Sequence, residues 1–430
     1  MHVSLRVPRG LTVLPPRPPL MPDPTSIPAM PKPSLLQRLV PEIPVLLGFG
    51  TGVLAIVDWS PPGLPTSPLG LVWSAWLVAC ILVCAFRAMA HADHLAEKHG
   101  EPLGTLILTI AAITIEVAAV CAVMLGNQGD PTVARDSMFS VLMLIFNLLM
   151  GLAMLLAGRG GREVQFNPQS SGAYLPLVIA LGMITLVLPR FTRSRPGGWM
   201  SEPMEVFVGL ASISLYGVFL WLQTTRHREF FAHHGESERS EEARKALEGE
   251  GDDASRTRLV ELPHGHVDVA TISTPRTSAL LLLALVSVVL IAEGLVGRVR
   301  ALLDAAYLPP GIGGVLIGCL VLAPEGLAAL KAAGRGSMQR CINILLGSAL
   351  ATIGLTVPAV IGIHFITGVS PSLGLDAPDI VLLVATFVVS AVNLTRGRVN
   401  ALQGIVHILL FIAWLVVILD EASVNPGPRI

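Results

Sequence analysis

The sequence predicts an all-α polytopic membrane protein of eleven transmembrane helices, with helices 2–6 and 7–11 as inverted-topology repeats. Three observations predict it. Of 430 residues, 52% are hydrophobic and only 14% charged, with mean hydropathy +0.68, whereas a soluble domain carries about 25% charged residues. Eleven apolar stretches approach the roughly 20 residues that a spanning helix needs. Lys and Arg are divided unequally between alternate loops, as expected where basic residues stay on the cytoplasmic side.

Residues 1–40 hold ten prolines and five basic residues (Arg6, Arg9, Arg17, Lys32, Arg38). Prolines at 15, 16, 18 and 19 break the early apolar run, so it lacks the core of a cleavable signal peptide and reads as a disordered cytoplasmic tail. Spanning segments are expected at 41–58, 69–90, 104–126, 136–157, 173–189, 204–223, 277–296, 310–331, 340–364, 378–394 and 400–419. The first six lie in 41–224 and the last five in 277–420, with a short tail at 421–430. Between the two groups, residues 225–276 carry eleven acids, eight Lys or Arg and five histidines (His227, His233, His234, His264, His266), and read as a solvated cytoplasmic loop.

With the N-terminus inside, 22 of the 29 Lys and Arg residues fall on the inner side and 7 on the outer, which predicts a cytoplasmic N-terminus and an outside C-terminus. Arg190, Arg193 and Arg195 run against this bias. Helix 1 leads out, so helix 2 enters from outside and helix 7 from inside. The two groups of five therefore run in opposite senses, the geometry of an inverted repeat. In that pairing helix 3 matches helix 8.

Helices 3 and 8 are the ones that carry Glu116 and Glu325. A carboxylate at membrane depth costs several kcal/mol unless it is paired, protonated or wet, and is by default functional. Helix 8 has Gly311, Gly313, Gly314 and Gly318, then Pro324 just before the acid. Proline frees a backbone carbonyl, a ligand for a hard cation where it lines a cavity. Helix 3 has Thr109 and Thr114 near Glu116. Asn147 is central in helix 4, and helix 9 adds Asn343, Ser348, Thr352 and Thr356, the last three spaced by four on one face. Carboxylates, amides, hydroxyls and carbonyls are all oxygen donors, a set for Ca²⁺, Na⁺, K⁺ or H⁺ rather than zinc or copper. Glu116 and Glu325 are the expected metal and proton ligands, with Thr109, Thr114, Asn147, Asn343, Ser348 and Thr352 as additional candidates.

Glu293, in helix 7, reads equally as a gate carboxylate or as an acid that snorkels toward Arg298. His364 and His407 read as satisfied packing histidines. The five cysteines lie in or beside apolar segments and read as small buried hydrophobes, with no disulfide and no thiolate metal site. A net charge of −1 with 5% aromatics excludes a nucleic-acid partner. The expected partners are the lipid bilayer, inorganic cations and protons, with room for a homo-oligomer. No cofactor is implied. No Ser–Lys or Ser–His dyad, His-Glu-x-x-His or paired aspartates suggest an intramembrane enzyme. A channel or uniporter with the same glutamates as a filter is the alternative to an antiporter.

Four stretches carry a resemblance to a known family: residues 104–116; Tyr216 to His227; Leu322-Ala323-Pro324-Glu325; and Asn343 to Leu350. They resemble the calcium/proton antiporter branch of the calcium:cation antiporter superfamily, and within it the bacterial ChaA-type sodium-potassium/proton and calcium/proton antiporters. The resemblance covers about residues 90–420. It implies eleven helices with two α-repeats, Glu116 and Glu325 as the acids that carry the exchanged cation, and a bacterial inner membrane. Plant and yeast relatives have Gly-Asn before the first acid, where this chain has Ala112-Ile113.

Overall fold

The computed structural model describes residues 42–57, 64–99, 107, 109–117, 120, 131–159, 161, 163–225 and 274–424. The expectations for the proline-rich tail, for most of the charged loop with its five histidines, and for the last residues lie outside the described residues.

The described chain is helical apart from two strands of two residues. The helices are α1 (Ile43–Ile56), α2 (Pro68–His99), α3 (described over 109–117), α4 (Ala134–Ala157), α5 (Pro168–Phe191), α6 (Glu202–Thr225), α7 (Thr274–Ala305), α8 in two halves (Pro310–Val321 and Ala323–Gly334), α9 (Met338–Thr367), α10 (Ala377–Leu394) and α11 (Ala401–Val424). Among the described residues eight are long and apolar enough to cross a membrane, and the two halves of α8 form a ninth, bent span. The fourteen residues of α1 are shorter.

Several segments outrun their apolar windows. Both α2 and α7 are 32 residues long, about 48 Å at 1.5 Å per residue, against a hydrocarbon core of about 30 Å. Hydropathy stops at the apolar part, whereas backbone hydrogen bonding continues through His91, Asp93, Glu97 and Lys98. The segment at 173–189 extends to 24 residues, because Asn167 caps it by accepting from the Gln169 N–H and Pro168 starts it.

Two apolar cores are present. One joins α1, α2 and α7 through Val45, Leu77, Cys84, Ala88, Ala284, Val288 and Ile291. Small residues bring these backbones close: a Cβ on Gly52 would stand 2.7 Å from Leu290 Cβ, and one on Gly294 2.6 Å from Ala55 Cβ. The other core joins α4, α5, α6 and α8–α11. Helix α3 serves both. Ala111 and Ile115 belong to the first core, Ile113 and Val120 to the second. Glu116 therefore sits at the seam.

Two small backbone pairings tie the loops. Strand β1 (Val164–Gln165), between α4 and α5, pairs antiparallel with β2 (Arg398–Val399), between α10 and α11. Trp199, between α5 and α6, bridges Ser372, between α9 and α10. Beside this bridge Gly374 N–H donates to Gly198 O at 2.9 Å; Gly198 has φ +91°, and a Cβ there would be 2.7 Å from Gly374 O. At this end Arg190 pairs with Asp376 at 3.2 Å, and Arg135 with Asp136 and Asp376 at 2.7 and 3.5 Å. One of the three arginines that oppose the charge bias is thus neutralised locally.

Candidate cation site

The bend in α8 creates one half of the site. Pro324 has no N–H to offer Leu320, and the helix turns by 64° at Leu322. The second half restarts at Ala323, and Glu325 stands in its first turn. Free N–H groups and the positive end of the helix dipole favour a negative group there. Helix α3 supplies Glu116, 5% exposed, at the seam between the cores. The two carboxyl groups are within electrostatic reach of each other.

A third element holds Glu116. Thr352 Oγ1 donates to Glu116 Oε2 at 2.8 Å and lies 3.0 Å from Ser348 O, so one hydroxyl hydrogen serves two acceptors. Thr352 opens a π-helical segment, Thr352–Thr356. The i→i+5 ladder of a π turn rotates the residues beyond it out of the α-helical period. Thr356, expected on the same face as Thr352, is fully buried with no hydrogen-bond partner for its hydroxyl among the described residues, and Ser348 contributes its carbonyl.

Each acid keeps an oxygen in reserve. Glu116 Oε1 and Glu325 Oε2 are buried without a hydrogen-bond partner among the described residues. Buried polar atoms are normally satisfied, and exceptions call for an explanation such as an ion or water. Beside Glu116 lies a cavity with about 20 Å³ of room for water-sized particles, lined by Glu116, Ser137, Val141, Gly314, Gly318 and Val321. That is enough for one water molecule or ion. The glycines matter here: a Cβ on Gly314 would come within 3.0 Å of Ser140 Oγ, and one on Gly318 within 2.8 Å of Leu144 Cδ1.

The other sequence candidates divide. Thr352 joins Glu116. Thr114 is exposed and donates to Ile110 O at 2.7 Å, on the far side of α3 from the acid's partner. Thr109 is half-buried two turns from Glu116. Asn343 accepts from Ser170 Oγ and from Gln339 Nε2, nine residues or about 14 Å along α9 from Thr352. Asn147 donates to Thr386 Oγ1 at 2.9 Å and faces α10 and α11. Glu293 is exposed on α7, while Arg298 reaches Ser74 Oγ and Gly70 O of α2 at 3.3 and 3.5 Å. His364 pairs through Nδ1 with Glu205 Oε2 at 2.7 Å. Cys80, Cys84 and Cys341 are buried free thiols, whereas Cys319, expected to be buried, is exposed on the first half of α8.

Sequence reading passed over Ser137, Ser140 and Glu205. Ser137 and Ser140 fall near the start of an apolar stretch, and Glu205 falls at the start of the 204–223 segment, yet it is fully buried. One signal was available for Ser140. Glu116 and Glu325 are 209 residues apart, Ser140 and Ser348 208 apart, and the π segments Leu144–Leu149 and Thr352–Thr356 begin 208 apart.

The family model for the sodium/calcium exchanger protein matches residues 69–225 and 277–419. The chain belongs to the sodium/calcium exchanger family. The y4hA protein of Sinorhizobium fredii is 36% identical over 335 residues, 77% of this chain and 84% of that protein. The sodium-potassium/proton antiporter ChaA of Escherichia coli is 33% identical over 353 residues, 82% and 90% of the two chains. The solved structure of native YfkE superposes with a TM-score of 0.61 at 15% identity, covering 88% of this chain and 99% of that one, a likeness of fold. The chain is an exchanger-type membrane transporter for cations and not an enzyme.

Proposed function

We propose that the chain is a secondary active cation/proton antiporter, exchanging Ca²⁺, Na⁺ or K⁺ for H⁺ by alternating access. Glu116 and Glu325 form one site that holds either the cation or protons. The observation that carries this reading is a pair of carboxylates, one in each half of the chain, each with one buried oxygen that has no hydrogen-bond partner among the described residues. A carboxylate that titrates near working pH exchanges a proton for a metal ion without leaving a bare charge in the membrane. ChaA, at 33% identity, is named a sodium-potassium/proton antiporter, which favours monovalent cations among the cargoes.

The fold behind this mechanism is eleven spans, with α2–α6 and α7–α11 as inverted repeats, the N-terminus cytoplasmic and the C-terminus outside, in a bacterial inner membrane. The matched spacings of acid, serine and π segment support the repeat. So do the loop pairings. Exchanging the repeats converts the α4–α5 and α10–α11 loops, joined by β1 and β2, into the α9–α10 and α5–α6 loops, joined by Trp199 and Ser372. The separate apolar core of α1, α2 and α7 supplies a body that can shift against the remainder, with Glu116 at the seam. A channel using the same glutamates accounts less well for two bodies with separate cores.

The test is cation-driven proton movement in everted vesicles or proteoliposomes. Glu116→Gln and Glu325→Gln should each abolish exchange for every cation that the unaltered chain transports. Exchange at the unaltered rate in both variants, or cation flux without proton movement, overturns the reading.

A further inference from the structure

His407 lies in α11, away from both acids, yet its surroundings connect it to Glu325. Asn147, Thr386 and His407 are fully buried, and Asn393 is 8% exposed. Asn393 Nδ2 stands 3.3 Å from His407 Nε2, and His407 Nδ1 stands 3.4 Å from Asn147 Oδ1. With Asn393 donating to Nε2, the ring proton sits on Nδ1, where it faces Asn147 Oδ1. Asn147 then donates from Nδ2 to Thr386 Oγ1. Every member of the chain Asn393–His407–Asn147–Thr386 is satisfied in one orientation.

Phe146 and Asn147 are in the middle of the π segment Leu144–Leu149. A π bulge disturbs the i→i+4 ladder and leaves backbone carbonyls in need of another donor. His407 meets this segment from outside the helix through the side chain of Asn147. Its position is held by a close backbone approach one turn away: a Cβ on Gly404 would be 2.7 Å from Gly151 O, and one on Gly151 3.0 Å from Gly404 O. On its opposite side the π segment grips the bend of α8. Leu144 Cδ1 fills the place of a Gly318 side chain, and Leu149 Cδ1 and Cδ2 that of Gly326. These glycines flank Leu322 and Glu325.

We infer that His407 is a positioning residue for the Glu325 half of the cation site, acting through the π segment of α4 and its grip on the bend of α8. This rests on the antiporter reading for its transport consequence, but not for its structural one. The ring spans α11 and α4; Leu144 and Leu149 span α4 and α8.

The test uses the full chain, purified and reconstituted, with two readouts: cation-dependent proton exchange, and backbone hydrogen exchange of residues 311–334 in detergent. His407→Leu should raise the cation KM about tenfold with kcat within twofold, and should speed hydrogen exchange around residues 318–327. His407→Asn, which restores a donor at the Nδ1 position, should bring both back to within about twofold. Thr386→Val, a milder change that removes the acceptor for Asn147, should raise KM two- to threefold, and decides the matter if His407→Leu does not fold. An unchanged KM and unchanged exchange of 311–334 in Thr386→Val overturn the inference. So does a loss in His407→Leu that falls on kcat and melting temperature together and is not rescued by asparagine. An unaltered chain that moves no cation against protons sinks the antiporter reading alone, and faster hydrogen exchange of 318–327 in His407→Leu would still uphold the positioning role.

Discussion

Thr352→Val isolates the contact by which α9 holds Glu116. Valine matches threonine in shape, so the change removes the hydroxyl and little else. That hydroxyl is the one side-chain donor to Glu116 among the described residues, at 2.8 Å from Oε2, on a carboxylate 5% exposed. A hydrogen bond to a charged group contributes about 1.5–3 kcal/mol. Here the same hydrogen also faces Ser348 O at 3.0 Å, so the lower end applies, about 1.5 kcal/mol. The cation-bound state needs an ionised Glu116, and the proton-bound state does not. The loss therefore falls on cation binding, and every 1.4 kcal/mol is tenfold in affinity. Thr352→Val should raise the half-saturating cation concentration about tenfold in proteoliposome exchange assays. Thr352→Ser, which keeps the hydroxyl, should stay within about threefold. A Thr352→Val protein with unaltered cation affinity would show that Glu116 binds without this donor, and the site as described would be wrong.

Two further predictions concern the scaffold. Gly404→Val places a branched side chain against the backbone of Gly151, at an approach of 2.7 Å to Gly151 O. Overpacking of this kind costs about 1–3 kcal/mol, so detergent-solubilised protein should melt at a lower temperature than the unaltered chain; an equal melting temperature would refute the close approach of α4 and α11. For topology, a cysteine placed at residue 370 in a chain otherwise free of cysteine should react with an impermeant thiol reagent from outside intact cells. One placed at residue 250 should react only after permeabilisation, and the opposite pattern would reverse the proposed orientation.

Much of the site was legible because membrane chemistry makes polar residues expensive. Glu116 and Glu325 stand out against apolar surroundings, and Pro324 marks the place where α8 bends by 64°. The supporting residues were less legible. Asn147 and Asn343 looked like ligands by composition, but hydrogen bonding directs Asn147 to Thr386 and His407 and Asn343 to Ser170 and Gln339. Period counting assigned Ser348, Thr352 and Thr356 to one face. The π turn that starts at Thr352 alters the period, and a π turn arises from the packing of neighbours rather than from a local residue pattern. Helix ends were misjudged where polar residues continue a helix beyond the bilayer, as in α2.

By itself the sequence determined that the chain is a helical membrane protein, that each of its two halves carries an acid within an apolar stretch, and that proline and glycine weaken the helix around the second. These features stem from solvation and backbone stereochemistry, which act residue by residue. Tertiary structure alone decided that Thr352 is the donor to Glu116, that α1, α2 and α7 have a core of their own, that Glu205 is buried against His364, and that His407 faces the bulge of α4. Each of these depends on which helix face meets which neighbour, and that is set by the packing of residues more than a hundred positions apart.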